Sequence, residues 1–338
     1  KSTNHTHVLF HRIILSVVKA AIVPRRRILK NPRSLLKSQA ISVLIATPIP
    51  FPLPHWSTGL TDSLSSSPPI VMTLAGNDPS GGAGISADIE TLVSLGCHPA
   101  PVITALTVQD TRNVQALWPV AAEELLAQAR AVLEDVPVAA FKIGVIGNTE
   151  NAFALHTLLN IYPNIPLVLD PVLTAGGGTE LANTALIETM QTLLLPLTTV
   201  LTPNSTEARR LAPEADTLEA CAMALLARGC RYVLITGGHE AESPTEIINR
   251  LYGNNRLLET YRWPRLPADY HGSGCTLAAA IAALLAQSHP PIPEDAFPAL
   301  IHRAQDYTWR SLQAGYRAGC GQQIPNRLYW AETSRGNP

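Results

Sequence analysis

The sequence of 338 residues contains no apolar run long enough to cross a membrane. The longest such run in the main part of the chain, Leu277 to Ala286, is well short of the ~20 residues that span a bilayer. The chain also has no strong net charge, because 25 basic residues nearly balance 26 acidic ones. We therefore predict neither a transmembrane segment nor nucleic acid as partner, and expect small-molecule ligands.

Cysteine is scarce, with five residues that are odd in number and widely scattered. None forms a C-x-x-C pair with matching histidines, which argues against a zinc site and a disulfide framework. The pattern favours reduced thiols in a cytoplasmic protein.

Acidic residues are absent before Asp62, whereas a basic cluster lies between Arg25 and Lys37. Such a leader is typical of organelle transit peptides, but the Pro- and Ser-rich stretch from Pro48 to Pro69 is equally typical of linkers. The same composition fits a disordered or non-native extension with no function of its own. We therefore exclude residues 1–69 from the fold and assign one domain to residues 70–330.

From Ile70 onward, short β-rich apolar runs alternate with helical segments, a pattern typical of parallel strands joined by crossover helices. The predicted strands are Ile70 to Ala75, Pro101 to Thr107, Ala140 to Ile146, Leu167 to Asp170, Thr199 to Thr202 and Tyr232 to Thr236. The predicted helices are Ile85 to Leu95, Ala121 to Glu134, Glu150 to Asn160, Asn183 to Leu194, Thr217 to Arg228, Cys275 to Gln287 and Asp295 to Ala314.

Two further β-like runs, Ile247 to Tyr252 and Arg256 to Arg262, flank Gly253-Asn254-Asn255 and predict an antiparallel hairpin at the sheet edge. The fold class is therefore α/β. We expect a three-layer α/β/α sandwich with a mostly parallel central sheet.

The most specific motif is His271-Gly272-Ser273-Gly274-Cys275-Thr276, which leads directly into a strong helix former. Gly272 and Gly274 permit close approach of a ligand, and the free N–H groups of the new helix face it. The motif fits an anion hole for a transferring phosphoryl group. Taken alone, it fits an ordinary Gly-rich loop before a buried helix about equally well.

This G-[ST]-G-C-T motif resembles that of hydroxymethylpyrimidine/phosphomethylpyrimidine kinases, members of the ribokinase-like superfamily. Most of that superfamily has Gly-Ala-Gly-Asp there, with the aspartate as base. The resemblance thus implies that Cys275 is the base or alcohol-activating group. A thiol at a helix N-terminus can have a lowered pKa, which would suit this role.

A second Gly-rich turn, Gly76-Asn77-Asp78-Pro79-Ser80-Gly81-Gly82-Ala83-Gly84, lacks the Lys-Ser/Thr ending of a Walker loop and the spacing of a dinucleotide fingerprint. It is similar to the G-x-D-P-S-G-G-A-G-x-x-A-D block of the same kinases. The resemblance assigns Asp88 to the pyrimidine substrate, although a surface-helix aspartate would otherwise be the favoured interpretation.

A buried strand ends at Gln109, on the side where open α/β sheets bind ligands. A glutamine amide can pair with a ring nitrogen and an exocyclic amine together, as an aminopyrimidine requires. The resemblance gives Gln109 that role, and it places Val145 and Val172 against the ring. By spacing alone, Gln109 would be a loop-capping residue and the two valines would be ordinary core.

Asp170-Pro171-Val172 and Thr202-Pro203-Asn204-Ser205-Thr206-Glu207 end two further strands. Their oxygens suit Mg²⁺, so Asp170, Asn204 and Glu207 are candidate Mg-ATP residues, with Asp170 and Glu207 as metal ligands. Asn204 and Glu207 fit a helix capping box equally well. The T-P-N-x-x-E match to the family favours the functional interpretation.

The resemblance covers about Ile70 to Ala318. It implies a homodimeric kinase, dependent on ATP and Mg²⁺, that phosphorylates hydroxymethylpyrimidine and then its monophosphate in thiamine biosynthesis. A vitamin B6 kinase and a non-catalytic pyrimidine-binding regulatory protein remain the alternatives. The sequence departs from the family at Thr236, where many members have lysine, and in the run from Thr174 to Gly178, which lacks the common Ala-Lys-Ser-Gly. Both departures leave fewer cations near the phosphates.

Removal of residues 1–65 should leave folding and kinase activity nearly intact, because the periodic pattern begins only at Ile70. Thermal unfolding and steady-state kinetics of a chain that begins at Ser66 check this prediction. An insoluble or inactive product would contradict it.

Overall fold

The computed structural model describes residues 67–238, 243–288 and 292–333. Most of the predicted extension at residues 1–69 lies outside the described residues, so its role stays a prediction. The first strand begins at Ile70, the residue at which the sequence pattern changes.

In the described ranges, nine strands and nine α-helices follow one another along the chain. The strands are β1 (Ile70–Asn77), β2 (His98–Gln109), β3 (Val114–Pro119), β4 (Val138–Ile143), β5 (Leu167–Leu169), β6 (Val200–Leu201), β7 (Tyr232–Ile235), β8 (Glu246–Gly253) and β9 (Arg256–Pro264). The helices are α1 (Gly84–Ser94), α2 (Ala122–Asp135), α3 (Thr149–Ile161), α4 (Thr184–Thr189), α5 (Ser205–Leu211), α6 (Leu218–Ala227), α7 (Ser273–Gln287), α8 (Phe297–Gln313) and α9 (Tyr329–Thr333).

The strands form one sheet in the order β3-β2-β1-β4-β5-β6-β7-β8-β9. Strands β1, β2 and β4 to β7 are parallel, whereas β3 and the β8–β9 hairpin are antiparallel. The predicted mostly parallel sheet with an antiparallel edge hairpin is confirmed. The prediction omitted β3, which pairs with β2 at the opposite edge.

Apolar residues on successive positions of the parallel strands face opposite sides of the sheet. Met72 and Phe141 lie in the core formed with α2 to α6, whereas Val71 and Ala140 lie in the core formed with α1, α7 and α8. Because both faces are covered, the strands are near-continuous apolar runs. This arrangement is the predicted three-layer sandwich.

Helix α7 is buried over ten consecutive residues, from Thr276 to Leu285, and packs against β1, β4 and β5. Because many of these residues are alanines, neighbouring elements can pack closely against every face of the helix. Its N-terminus consequently reaches the edge at which the parallel strands end. In the described ranges, no helix has both the length and the apolarity needed to span a bilayer.

The structure differs from the sequence-based elements in four further places. Helix α5 and helix α9 were not predicted, and the helix expected from Asn183 to Leu194 is α only over Thr184–Thr189 before a π-helical turn at Met190–Leu194. In the hairpin, Gly253 belongs to β8, and the turn consists of Asn254 and Asn255, with φ of 48° and 55°. Asparagine tolerates this left-handed conformation, which suits a tight hairpin turn.

Candidate active site

The predicted site residues collect at the carboxyl ends of the parallel strands. Gln109 is the last residue of β2, Asp170 directly follows β5, and Asn204 precedes α5 just after β6. Cys275 lies in the first turn of α7. Topology thus brings together residues that are up to 166 positions apart in the chain, from Gln109 to Cys275.

The Gly-rich turn after β1 is organised by the buried carboxylate of Asp78. This carboxylate accepts hydrogen bonds from the Ser80 N–H (2.9 Å), the Ser80 hydroxyl (3.0 Å) and the Ala83 N–H (2.8 Å). His271 Nε2 lies 2.8 Å from Asp78 Oδ2. Burial alone would raise the pKa of Asp78, but the hydrogen bonds from His271 and Ser80 hold it below its usual value. Asp78 is therefore an anion that ties the turn to the loop before α7.

The two glycine loops touch each other through their backbones. Gly272 has a φ of 81°, and a Cβ at this position would collide with the Gly82 carbonyl. A Cβ at Gly82 would collide in turn with the His271 ring. Glycine is thus required at both positions, by conformation at Gly272 and by space at Gly82.

Gln109 and Asp78 share one atom of His271. Gln109 Nε2 lies 2.9 Å from His271 Nε2, the same nitrogen that meets Asp78. Because Asp78 accepts, His271 Nε2 must carry the proton, and it cannot also accept from the Gln109 amide. Gln109 Oε1 lies 3.2 Å from the Thr107 hydroxyl, whose single proton has a closer acceptor in the Asn77 carbonyl at 2.8 Å. Its amide is therefore weakly held and available to a ligand.

The predicted anion hole lies at the first turn of α7. The helix begins after Gly272, and the Thr276 N–H donates a hydrogen bond to the Gly272 carbonyl at 3.0 Å. The earlier N–H groups of an α-helix have no partner within the helix, so those of Ser273 to Cys275 are available to an anion. Gly274 is exposed, and a Cβ there would lie 3.7 Å from Asp170 Oδ2. The anion hole and Asp170 therefore face each other.

The Cys275 thiol corrects one expectation. Burial raises its pKa to about 11, although the Lys142 ammonium acts in the opposite direction. The prediction of a lowered pKa at the helix N-terminus was wrong, because desolvation and the carboxylates of Asp170 and Asp88 outweigh the favourable charges. At neutral pH Cys275 is a thiol and not a thiolate.

Asp88 is fully buried below this centre. Its carboxylate pairs with Lys142 Nζ at 2.9 Å and accepts a hydrogen bond from the Thr73 hydroxyl. Lys142 is itself inaccessible to solvent, and a Cβ at Gly144 would lie 2.9 Å from its Nζ. Since the Asp88 carboxylate already has these partners, its assignment to the substrate stays a prediction that would require the pair to open.

Asn204 and Glu207 form a capping box at the start of α5. The Asn204 side chain accepts from the Glu207 N–H at 2.9 Å, and Glu207 Oε2 accepts from the Asn204 N–H at 3.0 Å. Glu207 Oε1 accepts from the Leu173 N–H at 3.2 Å. Burial, and then the charge of Asp170, raise the pKa of Glu207 to about 8. Both of its oxygens are used, so the structural role is present and the metal role stays a prediction.

Asp170 is the better candidate for a metal ligand. It is 4% exposed, and its Oδ2 atom has no hydrogen-bond partner among the described residues. Burial raises the pKa of Asp170 to about 6, against the charge of Lys142. The described residues contain no group of three or more His, Cys, Asp or Glu side chains placed to hold a metal. Asp170 with nucleotide phosphates and water fits Mg²⁺, which commonly binds through few protein carboxylates.

A cleft of about 430 Å³ opens beside Gln109. It is lined by Pro79, Ser80, Gln109, Asp110, Thr111, Arg112, Ala318, Gly319 and Cys320. Val145 lies behind the first glycine of the turn after β1, because a Cβ at Gly76 would lie 3.5 Å from its own Cβ. Val145 and Val172 are both half-buried, and their contact with a ring stays a prediction.

A model of the phosphomethylpyrimidine kinase family matches residues 78–326. The chain belongs to the phosphomethylpyrimidine kinase family. It is 37% identical over 261 residues to the hydroxymethylpyrimidine/phosphomethylpyrimidine kinase of Streptomyces coelicolor, across 75% of this chain and 93% of that relative. It is 41% identical over 221 residues to the Salmonella typhimurium kinase of the same name, across 63% of this chain and 81% of the relative.

Solved structures agree with this assignment to the phosphomethylpyrimidine kinase family. A Bacillus subtilis pyridoxal kinase in complex with ADP superposes with a TM-score of 0.68 at 25% identity, across 79% of this chain and 100% of that one. The phosphomethylpyrimidine kinase of Clostridium difficile superposes with a TM-score of 0.61 at 29% identity, across 72% and 99%. The kinase family and the ribokinase-like fold predicted from the motifs are confirmed.

Sequence reasoning gave no role to four residues whose side chains make specific buried contacts at the site, namely Asp78, Lys142, His271 and Arg327. A lysine within an apolar strand could have indicated a buried ion pair, since an unpaired buried ammonium is very costly. Asp78 in a Gly-rich turn is a common capping residue. No sequence signal identifies Arg327, because its partners are distant in the chain.

Alkylation should separate the two cysteines near the cleft. Cys320 is exposed at the cleft, whereas Cys275 is half-buried and its pKa is raised to about 11. Because the thiolate is the reactive form, we expect iodoacetamide at neutral pH to modify Cys320 at least about tenfold faster than Cys275. Mass spectrometry of the modified peptides measures both rates.

Hydroxymethylpyrimidine should slow the modification of Cys320 if it occupies the adjacent cleft. Cys320→Ser provides the control, in which the rapid phase of modification should be lost. Faster labelling of Cys275 than of Cys320 would show that burial does not control the reactivity of these thiols.

Proposed function

We propose that this chain transfers the γ-phosphoryl group of Mg-ATP to the hydroxymethyl group of 4-amino-5-hydroxymethyl-2-methylpyrimidine, and then to the resulting monophosphate. The observation that carries the proposal is the connection between Gln109 and the anion hole. His271 contacts Gln109 and immediately precedes Gly272, so heterocycle recognition and phosphoryl stabilisation occur at adjacent positions.

Recognition of the heterocycle is assigned to the Gln109 amide. In the free protein, the Gln109 amide nitrogen and the Asp78 carboxylate both lie near His271 Nε2, which donates its proton to Asp78. An aminopyrimidine would give it a ring nitrogen as acceptor and an amine as donor, so that both ends of the amide are paired. The Thr107 hydroxyl can donate to the Asn77 carbonyl at 2.8 Å instead, which leaves Gln109 Oε1 able to accept from the amine. Val145 and Val172 would supply apolar contacts to the ring.

Phosphoryl transfer is assigned to the N-terminus of α7. The N–H groups of Gly272 to Cys275 would bind the equatorial oxygens of the transferring group, and the helix dipole favours the same charge. Gly274 has no side chain between these N–H groups and Asp170. Asp170 would hold the magnesium ion, which supplies charge neutralisation at the β- and γ-phosphates. Asn204 and Glu207 would keep the neighbouring turn after β6 in place through their capping box.

Cys275 is assigned to activation of the alcohol. With a pKa of about 11 it does not begin as a thiolate. The alcohol proton would pass to Sγ as the S–H proton passes to the Asp170 carboxylate oxygen that does not hold the metal ion, so that no free charge is created in a buried site. The Gly84 N–H donates to the sulfur and stabilises its developing charge.

A second candidate reaction is phosphorylation of a vitamin B6 alcohol. The observation that favours it is the similarity to a pyridoxal kinase, with a TM-score of 0.68. Pyridoxal is also a flat heterocycle with a hydroxymethyl group, but it lacks the exocyclic amine that Gln109 would pair. Assembly as a homodimer is a further expectation from the family resemblance, and a cytoplasmic location is one from the scattered cysteines. Light scattering measures the first and fractionation the second.

An assay of ADP release with each heterocycle tests the proposal, with the wild-type chain and Gln109→Leu compared. We expect activity with hydroxymethylpyrimidine, and a KM for this substrate that rises at least about tenfold in Gln109→Leu, since a lost buried hydrogen bond costs ~1 to 3 kcal/mol. The KM for ATP should change less than about threefold in the same variant, because Gln109 is assigned no bond to the nucleotide. Equal changes in both KM values would remove Gln109 from the pyrimidine site, and ADP release with pyridoxal alone would favour the second candidate.

Cys275→Ala should lower kcat by roughly 10² to 10⁴-fold, as loss of a proton-transfer group typically does, with little change in either KM. Cys221→Ala is the matched control, because this thiol is fully buried in the core on the opposite face of the sheet from α7. A near-normal kcat for Cys275→Ala at both phosphorylation steps would show that transfer relies on the anion hole and the metal instead.

A further inference from the structure

Arg327 is a buried cation that lies against the anion hole. It is 1% exposed, and its guanidinium makes three contacts with three different segments. Nε donates to the Thr276 hydroxyl at 2.9 Å, Nη1 to Glu90 at 2.9 Å, and Nη2 to the Gly82 carbonyl at 2.5 Å. A single side chain from the C-terminal segment therefore joins α7, α1 and the Gly-rich turn after β1.

Two of these three acceptors adjoin Gly272. The Thr276 hydroxyl that receives Nε donates onward to the Gly272 carbonyl at 2.8 Å. The Gly82 carbonyl that receives Nη2 is the group a Cβ on Gly272 would strike, and the same Cβ would lie 2.9 Å from Nη2. Arg327 thus fixes the peptide of Gly272 from both sides. Any loosening of these contacts would move the N–H groups that follow.

The charge of Arg327 is only partly balanced. Among the described residues its ion pair is with Glu90, whose side chain is 43% exposed and so is screened by solvent. The other two acceptors, a hydroxyl and a carbonyl, are neutral. Arginine remains protonated in a buried site, so the positive charge below the first turn of α7 is permanent.

Two segments that follow strands near this site carry no positive charge. These are Thr236 after β7 and the glycines from Gly176 to Gly178. A side chain does not fit at Gly177, because a Cβ would collide with the Arg112 carbonyl and with Asn113. That position of the loop therefore cannot supply a cation.

Anchoring of the C-terminal segment depends on a different part of Arg327. Its backbone carbonyl accepts from the Ser94 hydroxyl at 2.6 Å and from the Tyr307 hydroxyl at 2.8 Å. The contacts of the guanidinium and those of the backbone can therefore be removed separately. If Arg327 served only to anchor the C-terminal segment, removal of the backbone contacts and removal of the guanidinium contacts should have similar effects on activity.

We propose that Arg327 is a positioning residue for the anion hole: its guanidinium fixes Gly82 and, through Thr276, Gly272, and places a permanent positive charge beneath the phosphoryl site. This inference rests on the kinase reaction proposed above. It adds to that reaction a residue outside the range 78–326 that the family model matches.

Arg327→Met tests the proposal, because methionine fills much of the volume without donors or charge. Its kcat should fall by about 30-fold or more at both phosphorylation steps, as for loss of a group that stabilises the transition state, while the KM for pyrimidine changes less than about threefold. Tyr307→Phe is the matched control, since it removes a bond to the Arg327 backbone. It should lower Tm but leave kcat within about twofold.

Two further variants keep the test decisive if Arg327→Met does not fold. Thr276→Val removes the hydroxyl between Arg327 and Gly272 at nearly constant volume and should lower kcat, and Thr276→Ser should recover most of the loss. In Arg327→Ala, guanidinium at millimolar concentration should restore part of the kcat, whereas urea should not. Normal kcat in Thr276→Val, or equal effects of guanidinium and urea, would overturn the proposal.

Affinity for inorganic phosphate separates this proposal from the kinase function itself. Without nucleotide or pyrimidine, calorimetric titration should show phosphate binding at least about tenfold weaker to Arg327→Met than to the wild-type chain, and unchanged binding to Tyr307→Phe. If the wild-type chain releases no ADP with either heterocycle, the proposed reaction is wrong. Equal phosphate affinities of the wild-type chain and Arg327→Met would refute the role of Arg327.

Discussion

The close approach of the Gly82 carbonyl to Gly272 is the constraint on which the site depends. It joins the turn after β1 to the loop before α7, two segments separated by most of the chain, with no room for a Cβ at Gly272. On one side, the hydrogen bond between His271 and Asp78 holds the two loops together. On the other side, Arg327 bonds both Thr276 and the Gly82 carbonyl. Because both loops are held, the free N–H groups of α7 are oriented before a ligand arrives, which is the condition for effective transition-state stabilisation.

Below this contact, the site contains charges that are individually costly to bury. Lys142 and Asp88 neutralise each other without access to solvent, and Thr73 satisfies a further acceptor position of the pair. Asp170 retains an unpartnered oxygen near Gly274. An unpaired buried oxygen is unfavourable in the free protein, so it is expected where a cationic ligand binds. The same burial keeps the thiol of Cys275 protonated.

The sequence predicted the parallel strands because the period and length of their apolar runs are enough to recognise them. It did not predict β3, whose six residues are mostly exposed or half-buried and which exists as a strand by pairing with β2. Motif resemblance correctly indicated the family. It could not show that the Asp88 carboxylate pairs with Lys142, or that both oxygens of Glu207 are used in hydrogen bonds, because partners across strands carry no local signal.

The sequence by itself determined the α/β alternation, the two glycine loops and the presence of Gln109 and Asp170 at strand ends, since these follow from local conformational preference and from the shared edge of a parallel sheet. Tertiary structure alone decided the protonation of Cys275, the tautomer of His271 and the position of Arg327 beneath the anion hole. Each of these depends on desolvation or on hydrogen-bond partners that only folding brings within 3 Å. Burial and pairing, unlike strand period, are properties of the assembled molecule.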